Sequence, residues 1–261
     1  MKDVGGTEPA FGQSDLHIHT RASDGLMDVD ELLAHVEQNT NLDVIAVTDH
    51  NVLDASLRAR DLALERHLRC EVITGMEVTT ADGHMLALFI EQPVASFRPA
   101  SETVAAVHAK GGMCIAAHPL SWLSNSLTER VLGELLDAPE PAGRIDGIET
   151  LNNTLPGRVG RERCREIARA RALPETGGSD AHFLIAVGSG RTEFPGRTAA
   201  DLRRSIVEKT CRPALHREVS LADIGLRRLW ALVYYKVVTG KKAPLPLRAM
   251  LRNVWPRGPK A

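Results

Sequence analysis

The chain has 261 residues, with 32 Lys+Arg against 33 Asp+Glu, a formal net charge of −1, 43% hydrophobic and 4% aromatic residues. These figures exclude a disordered chain, a collagen and a small disulfide scaffold, and the length suits one large α/β domain with a full core. The near-neutral total conceals a split: residues 1–157 carry 10 Lys+Arg and 24 Asp+Glu, a net of −14, whereas residues 158–261 carry 22 and 9, a net of +13.

Residues 1–14 lack the basic and apolar regions of a signal peptide, and no run of 18 apolar residues occurs, so no transmembrane segment is expected. From residue 14 to about residue 210, short apolar runs alternate with helical patterns. The order predicts strand 15–19, helix 29–38, strand 43–48, helix 53–68, strands 71–77 and 84–90, helix 101–110, strand 114–118, helix 127–136, strand 145–151, helix 158–171, strand 174–177 and helix 199–209. Alternation of this kind predicts parallel strands joined by right-handed crossovers, hence a closed barrel or an open doubly wound sheet. No GxGxxG or GxxxxGK[ST] loop follows a strand, which weakens the nucleotide-binding open sheet.

Beyond Val219 the texture changes. A helix over 221–238 carries Leu226, Leu229, Trp230, Val233, Tyr234 and Val237 on one face, and residues 220–261 hold 9 Lys+Arg and one acid, Asp223. We expect a basic helical tail over 220–261, packed on a domain spanning 14–219 in preference to lying on a membrane. The four cysteines, Cys70, Cys114, Cys164 and Cys211, show no CxxC spacing, so a reducing, cytoplasmic setting is expected.

The chemistry concentrates at strand ends. Asp15, His17 and His19 alternate with Leu16 and Ile18, which on a strand places two imidazoles and an acid on one face, a ready chelate for a metal. Further along, 45–51 reads IAVTDHN, 72–77 reads VITGME with Gly83-His84 following, 113–119 reads MCIAAHP, and 177–182 reads GGSDAH. In a barrel all C-terminal strand ends open on one face, so these groups converge although more than 160 positions separate them. Mixed imidazole and carboxylate donors suit Zn, Mn or Fe, and there are too many for one tetrahedral ion, so two or three divalent ions are expected.

The ordered set DLHIHTRASDG, AVTDHN, GMEVTT, IAAHP and GGSDAH, spanning about 14–192, resembles the polymerase and histidinol phosphatase (PHP) family of metal-dependent phosphoesterases. The resemblance implies an α/β fold, a distorted (β/α)7 barrel of the PHP type with a C-terminal helical tail, and a trinuclear site. It implies His17, His19, Glu77 and Asp180 at a first ion, Glu77, His84 and His118 at a second, and Asp24, His50 and His182 at a third. Some members carry a histidine where this chain has Asp24, and the Glu77-to-His84 spacing varies within the family.

A hydroxide bridging the first two ions would attack the phosphorus, with no side-chain nucleophile required. Asp15 and Asp49 are expected behind the ligands, orienting them or capping turns. Arg158, Arg161 and Arg191, with Asn152, are candidates for holding a substrate phosphate, because guanidinium groups match phosphate bidentately. His35, His67, His108 and His216 fall outside the strand ends and are read as surface or structural.

Three functions compete. A phosphoesterase acting on a small phosphorylated substrate, a phosphate monoester or nucleotide, leads. An exonuclease on short RNA or DNA ranks second, supported by the basic C-terminal half but not favoured by the scarcity of aromatic platforms. A metal-dependent amide or carbamate hydrolase ranks third, since HxH on a first barrel strand also opens that pattern, although no strand-end lysine is available to bridge two ions.

Overall fold

The computed structural model describes residues 11–139, 143–226, 229–230 and 233–234. The chain divides into two compact units, Met1–Val219 and Ser220–Ala261.

The first unit is built on one nine-stranded sheet: β1 (Phe11–Asp15), β2 (Val44–Val47), β3 (Glu71–Thr79), β4 (His84–Leu88), β5 (Met113–Ala116), β6 (Gly147–Asn152), β7 (Glu175–Gly178), β8 (Gly190–Pro195) and β9 (Arg212–Leu215). Its order is β7-β6-β5-β4-β3-β2-β1-β8-β9. An Ile18–Ala181 bridge and the bonds between Thr192 and Gly177 bring the β7 edge back to β1 and β8, so the sheet nearly closes into a barrel. Among the described residues this unit has six α-helices: α1 (Val29–Asn39), α2 (Asp54–Glu65), α3 (Ala100–Ala109), α4 (Glu129–Asp137), α5 (Arg161–Ala170) and α6 (Ala199–Glu208).

Three departures from the seven-stranded expectation have physical causes. Strand β4 runs antiparallel to both β3 and β5, because residues 80–83 turn the chain straight back instead of crossing over through a helix. Strands β8 and β9 were not foreseen: β8 alternates small and charged residues, GRTEFP, and pairs antiparallel with β1 from Phe11↔Pro195 to Ser14↔Thr192. That pairing moves β1 four residues toward the N-terminus of the expected 15–19 strand, and His17 and His19 therefore lie just beyond its end.

Strand alternation sorts the core. Val44 and Ala46, Leu86 and Leu88, and Met113 and Ile115 join Phe194 in one cluster, while Ile45 and Val47 pack with α1 and α2, and Met85, Ala87, Cys114 and Ala116 pack with α3, α4 and α5. Helices α1 to α5 thus cover one face, while the other lines the curve of the sheet, where Leu202 and Ile206 of α6 join its cluster. Glu77 shares its parity with Ile73, and His84 with Leu86, so both stand on the inner face at the rim.

Helix starts follow local chemistry. Asp28 and Thr198 each close a capping box with Glu31 and Asp201, satisfying amides that the first turn leaves free. In the second unit Ser220 caps α7 (Leu221–Ile224) in the same way. Leu226, Leu229, Trp230, Val233 and Tyr234 are also helical, and the remainder of the expected 221–238 helix lies outside the described residues. Among the described residues no helix is long and apolar enough to cross a membrane.

Candidate metal centre

Five imidazoles form a closed circuit around one carboxylate. The ring centroids of His17 and His19 are 5.1 Å apart, His19 and His50 4.7 Å, His50 and His84 4.8 Å, His84 and His118 5.5 Å, and His118 and His17 5.5 Å. Glu77 is the hub. Its Oε2 lies 3.4 Å from His17 Nε2, 3.4 Å from His19 Nε2 and 2.9 Å from His50 Nδ1. Its Oε1 lies 2.9 Å from His84 Nδ1 and 3.1 Å from His118 Nε2.

Two further carboxylates flank the circuit. Asp180 Oδ1 is 3.1 Å from His19 Nε2 and 3.7 Å from His17 Nε2. Asp24 Oδ2 is 3.2 Å from His182 Nε2 and 3.8 Å from His50 Nε2, and His182 stacks on His19 at 4.4 Å. The structure thus brings all nine sequence-predicted donors together. It groups them by proximity as His17–His19–Glu77, His17–His118–Asp180, His19–Asp24–His182 and His50–Glu77–His84, sets that overlap and differ from the partition implied by the family resemblance.

The decisive feature is how poorly these atoms serve one another. His17 Nε2, His19 Nε2, His50 Nδ1, His84 Nδ1 and Glu77 Oε2 are buried without a hydrogen-bond partner among the described residues. His50 Nδ1 and His84 Nδ1 lie only 2.9 Å from Glu77 oxygens, yet the angles make no hydrogen bond, and the donor atoms of each group lie within 4.8 Å of one another. Burying ionisable groups unpaired costs several kcal/mol each, a cost that ions held among them would offset. The donor chemistry and the unpartnered atoms fit divalent metal ions.

Charge follows the same logic. Burial alone would raise the carboxyls of Glu77 and Asp180, but surrounding imidazoles, His50, His84 and His17 at Glu77 and His17, His19 and His182 at Asp180, hold both well below the usual range. Asp24 is likewise held low, by His182 before His19, against its burial. Burial opposes protonation of His50, but Glu77 overrides it and raises the ring to about 9. His17 is raised well above its ordinary value by Asp180, Glu149 and Glu77 against the same opposition from burial. At His19 and His84 burial wins, and both rings are lowered.

The rings are set by groups behind them. Glu149, on the inner face of β6, places Oε1 3.1 Å from His17 Nδ1 and accepts at Oε2 from the His118 amide at 2.8 Å and Asn152 Nδ2 at 3.0 Å. His118 Nδ1 lies 3.0 Å from Ser126 Oγ. Gly178 is required here, because a Cβ would stand 2.6 Å from Glu149 Oε1 and 2.7 Å from the His17 Cβ. His118 and Asp180 have left-handed backbones, φ 30° and φ 52°, a strain that sharp strand ends at functional sites commonly hold. Glu149 was missed by sequence reasoning, although a carboxylate inside the apolar run of β6 was a usable signal.

The two acids expected behind the ligands are there. Asp49 accepts from Thr20 N at 2.8 Å, Thr20 Oγ1 at 2.6 Å and Ser23 N at 3.1 Å, fixing the turn that carries Asp24. Asp15 accepts from Ser179 N and Oγ and from Gly188 N, anchoring the turn before Asp180, and burial pushes its carboxyl up to about 6 against those bonds.

The expected phosphate partners sit differently. Asn152 Nδ2 spans Glu149 and Asp180, and its Oδ1 accepts from Thr154, so its side chain braces the centre. Arg191 is buried with its guanidinium on Gly188 O and Asn41 Oδ1, holding the chain there. Arg161 donates to Asn152 O and Arg158 to Asn153 Oδ1, which ties both to the loop after β6, and the Nε of each is buried without a partner among the described residues. Arg163, Arg165 and Arg171 pair with surface acids. His108, set apart from the centre, stands 2.8 Å from Asp146.

The PHP domain family matches residues 15–148, and the PHP-associated family matches 161–211. The chain belongs to the PHP domain family. An uncharacterized protein of Methanocaldococcus jannaschii is 29% identical over 151 residues, 54% of this chain and 81% of its own length. A two-domain protein of Bacteroides vulgatus, described as containing a predicted PHP-like metal-dependent phosphoesterase, superposes with a TM-score of 0.62 at 19% identity over 80% of this chain. The chain spans 66% of that protein's length. Endonuclease Q, solved with a 27-mer duplex bearing an abasic lesion at the active site, superposes with a TM-score of 0.52 at 16% identity over 76% of this chain and 56% of its own. At these identities the two superpositions show a shared fold.

Proposed function

We propose that this PHP protein is a metal-dependent phosphoesterase that hydrolyses a small phosphorylated substrate, with two or three divalent ions, Mn, Fe or Zn, held by His17, His19, Asp24, His50, Glu77, His84, His118, Asp180 and His182. The observation that carries the reading is the set of five buried, unpartnered donor atoms gathered at one polar centre. Divalent ions there would supply an activated water near neutral pH and a positive clamp for phosphate oxygens.

The chain's own residues prepare the site. Glu149 fixes His17 through Nδ1, which leaves Nε2 directed at the centre. Asn152 couples Glu149 to Asp180, so the β6 and β7 ends hold register with each other. Glu77 separates five rings that would otherwise repel as they acquire protons. Arg158 and Arg161, close to Asn152, are the cations best placed to meet a substrate anion. The donor set carries three formal negative charges, on Asp24, Glu77 and Asp180, which two or three divalent cations outweigh, leaving it positive and favouring an anionic substrate.

An extended nucleic acid is less well supported. Arg163 and Arg165 of α5 are engaged by Glu129, Glu166 and Glu162 and are not left open to a phosphate backbone. The test is a substrate panel of nucleoside monophosphates, sugar phosphates, p-nitrophenyl phosphate, labelled oligonucleotides and simple amides, run on Mn-, Fe- or Zn-reconstituted protein with and without chelator. Chelator-sensitive phosphate release from monoesters is expected. Oligonucleotide or amide cleavage in its place would overturn the reading.

A further inference from the structure

One aromatic side chain near the centre is left almost entirely in solvent. The chain has three tryptophans and 4% aromatic residues, yet Trp122 is 80% exposed. Its neighbour Leu123 and the next loop's Leu155 are each 50% exposed. Large apolar groups left exposed on loops that adjoin a polar centre mark a binding surface more than a folding need.

The position of Trp122 is set by the centre itself. Its loop leaves β5 at His118, and both flanks are pinned. On one side Ser121 Oγ donates to Pro156 O at 2.7 Å, which draws the Leu155 turn alongside. On the other, Ser126 Oγ donates to His118 O at 2.9 Å, and Asn125 O accepts from the His84 amide at 2.9 Å. Residues 122–123 are therefore the unpinned tip of a loop whose base is bonded to two of the predicted ligands. A flat indole presented this way costs little to order on binding, because its loop is already held.

We propose that Trp122, flanked by Leu155, is the platform on which a planar aromatic ring of the substrate stacks, so that the preferred substrates are phosphate esters whose alcohol part carries such a ring, as nucleosides do. The inference rests on the phosphoesterase reading for its phosphate, and on the Trp122 loop for its ring. Stacking of this kind tolerates different rings, since every base offers a π-face.

The test compares the reconstituted wild type with Trp122→Ala and Trp122→Phe. The ratio of kcat/KM for adenosine 5′-monophosphate to that for glycerol 1-phosphate is expected to fall about tenfold or more in Trp122→Ala, through KM, and to be largely kept in Trp122→Phe. Equal losses on both substrates would assign the side chain a merely structural role and overturn the proposal. Adenosine alone, added to the wild type, is expected to quench tryptophan fluorescence, and Trp122→Phe to abolish the quench although two tryptophans remain. The absence of any quench in the wild type would also overturn it. Because adenosine carries no phosphate, this second readout stands even if the phosphoesterase reading fails.

Discussion

The α4–α5 surface and the rim of the barrel use the same kinds of charged residue to opposite ends. On the surface, Arg163 meets Glu129 and Glu166, and Arg171 meets Asp137, each charge satisfied by its neighbour in open solvent. At the rim, three carboxylates and six imidazoles share one small volume, and five of their atoms find no hydrogen bond among the described residues. Surface pairs of that sort contribute little to stability. Buried donors left facing each other are costly, and they persist where a ligand completes them. Counting charges separates nothing here; burial and unmet bonding do.

The strongest way to break the contrast is to remove its hub. Glu77→Gln should lower activity by more than about a hundredfold, beyond what losing a supporting group costs, and should release metal measured by elemental analysis. Near-normal turnover would mean that Glu77 only spaces the rings. Glu149→Gln touches no proposed ion but removes the charge behind His17 Nδ1, and metal affinity should drop about 10- to 100-fold with the fold retained by circular dichroism.

A third measurement sharpens the contrast through protons. In the metal-free chain Glu77 keeps His50 protonated up to about pH 9, and His17 is also raised. An ion binds only the neutral ring, so metal binding at about pH 7 should release protons, and the release should fade as pH rises past the His50 value. Calorimetric titration in buffers of differing ionisation enthalpy reads this directly. Buffer-independent heats would contradict the protonation scheme. The smallest effect belongs to the surface: Arg163→Ala should leave the melting temperature and the metal content unchanged within error.

Much of this architecture was legible in the residues. Strands β2, β3, β5 and β6 are apolar runs with His, Glu, Asp or Asn at or just past their ends, and their hydrophobic content shows them whatever they pair with, whereas β7, ETGG, is marked only by the GGSDAH segment that closes it. Strand β8 stayed hidden because Arg191, Thr192 and Glu193 gain their strand character from β1 and β9, partners distant in sequence. For the same reason the first strand was placed too late. The nine predicted donors converge, since strand ends on one rim meet whatever their separation along the chain. What sequence could not supply was direction: Asn152 and Arg191 read as substrate partners until their bonds to Asp180 and to Asn41 placed them in supporting positions. Glu149 was passed over for the converse reason, an acid that looked like strand interior and sits at the back of His17.

Under the proposed function the rim holds two or three ions. The most direct test is elemental analysis of the purified chain after reconstitution with Mn, Fe or Zn and removal of excess metal. Two or three ions per chain are predicted, falling in His17→Ala and Asp180→Ala variants that remain folded. Less than one ion per chain in the wild type would contradict the account.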